Sequence, residues 1–148
     1  MIRLTTGRYV VTIDRTSTKN YYDTHQFITE DCGCSYCANY RLACDHFPQE
    51  IQDLFDVLGI DPRKEGEVSE VGVNADGTHL YVAFYHLVGE ILAGPGPYPA
   101  VGGEHDVRFV CPDRVEMDFS DELDLVPDNF PQPAVQFEIQ LNVPWLLD

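Results

Sequence analysis

The chain has 148 residues, a length suited to one domain, and its 44% hydrophobic and 11% aromatic content is that of a folded globule. Twenty-five acidic against nine basic residues give a formal net charge of −16. A field of that sign disfavours nucleic-acid phosphates and anionic membrane surfaces as partners, and it favours encounter with a basic protein.

Met1 to Gly7 carries no apolar stretch of the kind a secretory signal needs. The longest apolar run, Leu80 to Val88, is too short to cross a bilayer and contains His86. The five cysteines are Cys32, Cys34, Cys37, Cys44 and Cys111. An odd count with four crowded into one segment is not the framework of a secreted disulfide protein. The expectation is a soluble, single-domain protein (residues 1–148) of the cytoplasm.

The first periodic segment is Arg8 to Asp14, where Tyr9, Val11 and Ile13 alternate with more polar residues as in a strand. Arg15 to Tyr22, rich in Thr, Ser, Lys and Asn, reads as a loop. From Ser35 to Cys44 the period becomes helical, with Cys37, Tyr40 and Cys44 on one face. A second helix is expected from about Pro48 to Leu58, with Ile51, Leu54, Phe55 and Leu58 as its apolar stripe. Pro48 suits its first turn, Gly59 suits the left-handed position after its end, and Asp61-Pro62 stops it.

Beyond residue 66 the period falls to two. Val68 to Asn74 and His79 to about Leu92 flank an Asp76-Gly77 turn, a strong hairpin signal. Leu80 to Val88 is apolar on both faces, as in a central strand covered on both sides. Residues Ala93 to Gly103 read as a Gly/Pro loop; its prolines lack the N–H donors of a phosphate cradle. Val107 to Cys111, Val115 to Phe119 and Val135 to Val143 are further strands. The class is therefore α+β, mainly β: an antiparallel sheet or a two-sheet sandwich, with a short helical hairpin inserted in the N-terminal half. The sandwich is preferred because at least six strands must bury their apolar faces.

One local feature has chemical potential. Cys32, Cys34 and Cys37 form a C-x-C-x2-C pattern at a helix start, followed by Cys44 and His46. Thiolates bind Zn2+ at about 2.3 Å, and a structural site closes with four ligands. Cys32, Cys34, Cys37 and Cys44 are thus the candidate metal ligands, with His46 or His25 as alternatives for the fourth. Zinc modules generally bring a second ligand pair from elsewhere, and Cys111 stands alone. Cys37 and Cys44 also share an apolar helix face, so buried reduced thiols come first, a zinc site second and redox work third.

The same segment with Asn39-Tyr40, Phe47-Pro48, Leu58-Gly59-Ile60-Asp61-Pro62 and Tyr85-His86-Leu87-Val88-Gly89-Glu90 resembles a group of short bacterial proteins sharing C-x-C-x2-C-x-N-[YF]. The likeness covers about residues 31 to 92. It implies a bacterial or phage setting and brings with it no activity and no site residue.

His86 and Glu90 share a strand face, with Glu104-His105 beyond the Gly/Pro loop. Acid–base work by such a pair is set against a packed, hydrogen-bonded histidine, which the lack of a nucleophile favours. Asp113, Glu116, Asp118, Asp121, Glu122, Asp124 and Asp128 lack the glycine turn and spacing of a calcium loop and read as a solvated face. The expected function is non-catalytic binding of a basic partner through an acidic surface or sheet face. The alternative is a small protein with structural zinc.

Overall fold

The computed structural model describes residues 2–6, 9–24, 35–64, 67–93, 106–109, 115–123 and 130–147. Their elements, in chain order, are β1 (Ile2–Thr6), β2 (Val10–Ile13), α1 (Arg15–Thr24), α2 (Ser35–Ala43), a 3-10 turn (Cys44–His46), α3 (Gln49–Leu58), β3 (Glu67–Val73), β4 (His79–Ala93), β5 (Asp106–Phe109), β6 (Glu116–Ser120) and β7 (Ala134–Val143).

The class is α+β with a mainly antiparallel sheet, as the sequence predicts. Of the two arrangements considered, the single sheet is the one adopted, and the preferred sandwich is not. The strands follow the order β5-β1-β2-β4-β7-β6, with β3 also on β4. Among the described strands, only β1 and β5 run parallel. The sheet is open but strongly curled. Tyr9, just before β2, donates its hydroxyl to Asp118 and packs edge-on against Phe119 at 5.6 Å, although β4 and β7 lie between β2 and β6 in the strand order.

Fifteen-residue β4 is the axis of the sheet. It pairs with β7 along residues 79–88, with β3 along 79–84 and with β2 along 89–93. Because β3 and β7 flank the same residues they occupy opposite edges, and the strand order puts β2 on the β3 side. Gly89 marks the changeover. A Cβ there would meet the Thr12 carbonyl oxygen at 1.9 Å, so only glycine lets β2 approach.

Between Phe84 and Gly89 helix α1 takes the place of a strand. This is the main departure from the sequence reading, which makes Arg15–Tyr22 a loop. Asp14 caps the helix, accepting the Ser17 N–H at 3.1 Å and the Ser17 hydroxyl at 2.9 Å. Asp14, Thr18 and Tyr22, spaced by four, line up along β4. Val88 donates its N–H to the Thr18 hydroxyl at 2.9 Å, and its carbonyl accepts the Asp14 N–H at 2.8 Å. Thr18 and Tyr22 are buried, and they are the helix's only buried residues. An otherwise hydrophilic helix is therefore held by side chains that bond to the strand backbone.

The helical hairpin is as expected. In α3, Ile51, Leu54, Phe55 and Leu58 are buried, each such side chain contributing about 1.5–3 kcal/mol of transfer free energy. The Phe55 ring lies 5.0 Å from that of Tyr85 and 5.9 Å from that of Phe137. Gly59, at φ 76°, closes the helix: its N–H bonds the Asp56 carbonyl and that of Ile60 bonds Phe55. In α2, Tyr40 packs on Tyr81 and hydrogen-bonds Tyr85, whose hydroxyl donates to the Pro62 carbonyl at 2.6 Å. Asn39, fully buried, ties down the C-terminal tail by donating to Pro144 at 3.1 Å and accepting the Leu146 N–H at 2.6 Å.

Candidate functional site

The cysteine cluster lies partly outside the described residues: Cys32 and Cys34 fall there, as do Cys111 and His25. Cys37 is buried in the first turn of α2, and Cys44 is buried where α2 passes into the 3-10 turn. Seven residues of helix separate their backbones by about 10 Å. Two thiolates meeting one ion at about 2.3 Å need a closer approach than that. His46 is exposed. Among the described residues, no three His, Cys, Asp or Glu side chains are placed to hold a metal ion.

His86 and Glu90 are not brought together. His86 is only 2% exposed, with its ring 5.8 Å from that of Phe130, whereas Glu90 is exposed four residues along the strand. Glu104 and His105 lie outside the described residues. So does the Gly/Pro loop of residues 94–103.

The acidic residues are unevenly divided along the chain. Residues 65–148 hold 16 of the 25 carboxylates and only two of the nine basic side chains, Arg108 and Arg114, a net of −14. Residues 1–64, with nine acidic and seven basic side chains, carry −2. Along the sequence the charge is therefore split between a nearly neutral first part, which includes the helices, and an acidic second part, which supplies β3 to β7. Splitting the charge by position would find this in the sequence.

Register decides which carboxylates share a face. Tyr85 and Phe137, which touch Phe55 of α3, set the inner face of β4 and β7. Residues one step out of phase point the other way. On that outer face Glu138 of β7 sits opposite Asp118 of β6 on one side and Phe84 of β4 on the other. Glu116 faces Gln140 one pair along. Leu80, Val82 and Phe84 of β4 are half-buried beside them. Burial, and then the negative charge of Asp118, hold the Glu138 carboxyl above the ordinary glutamate range. Asp121 and Glu122 continue the acidic run, exposed just past β6; Asp113, Asp124 and Asp128 lie outside the described residues. The surface is a strip of half-buried apolar side chains bordered by carboxylates, with no Lys or Arg in β3, β4, β6 or β7. It can attract and seat a cationic surface.

No helix among the described residues is long and apolar enough to cross a membrane. Comparison of the chain with protein-family models, with curated proteins and with solved structures found no match.

Proposed function

We propose that the protein is a non-catalytic binding protein that meets a basic protein partner through the acidic outer face of its sheet. The observation that carries the reading is the charge partition, −14 over residues 65–148 against −2 over the rest. Such a field accelerates encounter with a cationic surface and suppresses binding to nucleic acid. The half-buried Leu80, Val82 and Phe84 supply apolar area that a partner can cover, and the surrounding carboxylates would set its orientation.

The test is co-purification at low and moderate salt, followed by titration of the retained partner with the native protein and with an E116Q/D118N/E138Q variant. The expected partner is basic, its affinity falls as salt rises, and the variant binds about tenfold or more weakly. A neutral or acidic partner, or binding indifferent to both salt and the three substitutions, would contradict the reading.

A second reading is structural zinc, favoured by the position of Cys37 in the first turn of α2, directly after the segment bearing Cys32 and Cys34. The helix dipole favours a thiolate there. Cys44, about two turns on, joins the same ion only if the end of α2 unwinds.

A further inference from the structure

At the hairpin end of the sheet, three elements bring aromatic rings together at the surface. Trp145, from the tail that Asn39 ties down, stacks on His79 at the start of β4 with centroids 4.5 Å apart and planes 29° apart. Its ring also meets Tyr36 of α2 at 5.8 Å and 69°, so the two rings form a corner. Tyr36 is 47% exposed. Glu70 of β3 lies beside His79, its Oε1 3.4 Å from Nδ1. Val73, opposite His79 in the β3–β4 register, is 66% exposed and extends the apolar rim.

The geometry points to this corner as the anchor for a basic side chain of the partner, an arginine above all, seated against Tyr36 and Trp145 with Glu70 supplying the nearby negative charge. This inference rests on the reading of a basic partner and adds a contact at the hairpin end of the sheet, where His79 and Glu70 are in phase with Tyr85 and so belong to the helix side, not to the outer face. Three observations carry it. A cation is attracted to the face of Trp or Tyr, and a planar guanidinium can stack there as well. Among the described residues, β3, β4, the tail and α2 as far as Tyr40 contain no Lys or Arg; Arg41 follows on α2, and the basic group at the corner itself is His79, 3.4 Å from Glu70. Tyr and Trp held in place by packing form binding hot spots at low entropic cost, and Trp145 is fixed by the Asn39 clamp and the His79 stack. A second copy of the chain is disfavoured as occupant because both molecules would carry −16.

Trp145 is the chain's one tryptophan, so its fluorescence reports on this corner alone. The probe is capped hexa-arginine, titrated at about 50 mM salt with binding followed in parallel by calorimetry. A saturable change in Trp145 emission is expected, matching the calorimetric curve. Tyr36→Ala and Glu70→Gln should each weaken binding about threefold or more, while D118N/E138Q on the outer face changes this contact less than either. Thermal melts of the variants confirm that they are folded. If calorimetry detects binding while Trp145 emission stays constant, or if Tyr36→Ala binds like the native protein, the corner is not the anchor and the acidic-surface reading stands without it. Absence of any binding heat would count against both. An emission shift that depends on protein concentration alone would place a second copy on the corner and overturn the inference.

Discussion

The Tyr22 hydroxyl and the His86 backbone bond in both directions: the hydroxyl accepts the His86 N–H at 3.0 Å and donates to the His86 carbonyl at 2.9 Å. One phenol thus does at this edge of β4 what a paired residue would do in a neighbouring strand. Tyr22→Phe removes both bonds in a buried setting and should destabilise the protein by about 2 kcal/mol. Thr18→Val, which removes the acceptor of the Val88 N–H, should cost about 1–2 kcal/mol. Urea unfolding measures both, and amide exchange at His86 and Val88 should quicken in the respective variants. Unchanged exchange would mean that α1 does not hold this edge.

Helix α1 should also loosen in acid before the sheet does. The Ser17 backbone N–H, and next its hydroxyl, hold the Asp14 carboxyl below the ordinary aspartate range. A carboxylate whose pKa is lowered on folding adds stability that is complete above its unfolded value and disappears as pH falls through the folded one. Down to about pH 5 the cap should therefore be intact; its contribution should begin to fall near the ordinary aspartate value of about 4 and be lost only once pH has passed through the lower folded one. Circular dichroism of native protein and Asp14→Ala across that range checks this. The variant should lack the acid-induced change assigned to the cap and be about 1 kcal/mol less stable at pH 7.

Gly59 answers two demands at once. Its φ of 76° is costly for a side-chain-bearing residue, and a Cβ there would lie 2.7 Å from the Arg15 carbonyl oxygen at the start of α1. Gly59→Ala should cost about 2 kcal/mol or more, from the left-handed backbone and the displaced helix together. A loss below about 0.5 kcal/mol in chemical denaturation would show that α1 and α3 are not packed this closely.

Glu138 opposes Asp118 with like charge and is held above its ordinary pKa, so its ionised form is disfavoured in the folded state. The sign is opposite to that of Asp14: its contribution is least unfavourable at low pH and becomes a penalty as pH rises through the folded pKa. Glu138→Gln should therefore stabilise the protein at pH 7, by about 0.3 kcal/mol after solvent screening, with the gain fading in acid. Melting curves at pH 4 and pH 7 for the two proteins give the comparison.

Metal content separates the zinc reading from reduced thiols. Protein purified without a metal-chelating tag should contain one zinc per chain if Cys32, Cys34 and Cys37 ligate it, and chelation should then lower the melting temperature. Cys44→Ala should leave the metal content unchanged, because its helical position keeps it apart from Cys37, while costing stability through the lost buried thiol. Loss of zinc in that variant would show that α2 ends earlier than Ala43.

Regular periodicity makes α3, the β3–β4 hairpin and β7 legible in the amino-acid sequence, because each follows one repeat with clear end signals. Helix α1 is hidden there: Thr16, Ser17, Thr18, Asn20 and Thr24 are poor helix formers, and only two positions are buried, too few for a stripe. Strand β1, five residues long, is too short for its alternation to stand out. The apolar run of β4 correctly marks a central strand, but coverage is uneven. His86 and Val88 are buried on the outer face, whereas Leu80, Val82 and Phe84 are half-exposed. Period two says nothing about which element covers a face, and so cannot decide between sheet and sandwich. The pairing of Asp118 with Glu138 likewise depends on register across 20 residues.

The partner-rich β4 also imposes an order on assembly. Its hairpin with β3 closes a short stretch of chain, but β7 joins it across loops of 46 to 64 residues and β2 from roughly 80 residues away. A nascent chain emerging from the ribosome can finish α1, the helical hairpin and β3–β4, but β4 then waits with its other flank bare until β7 is released. That bare flank is the point at which a truncated or stalled product would aggregate.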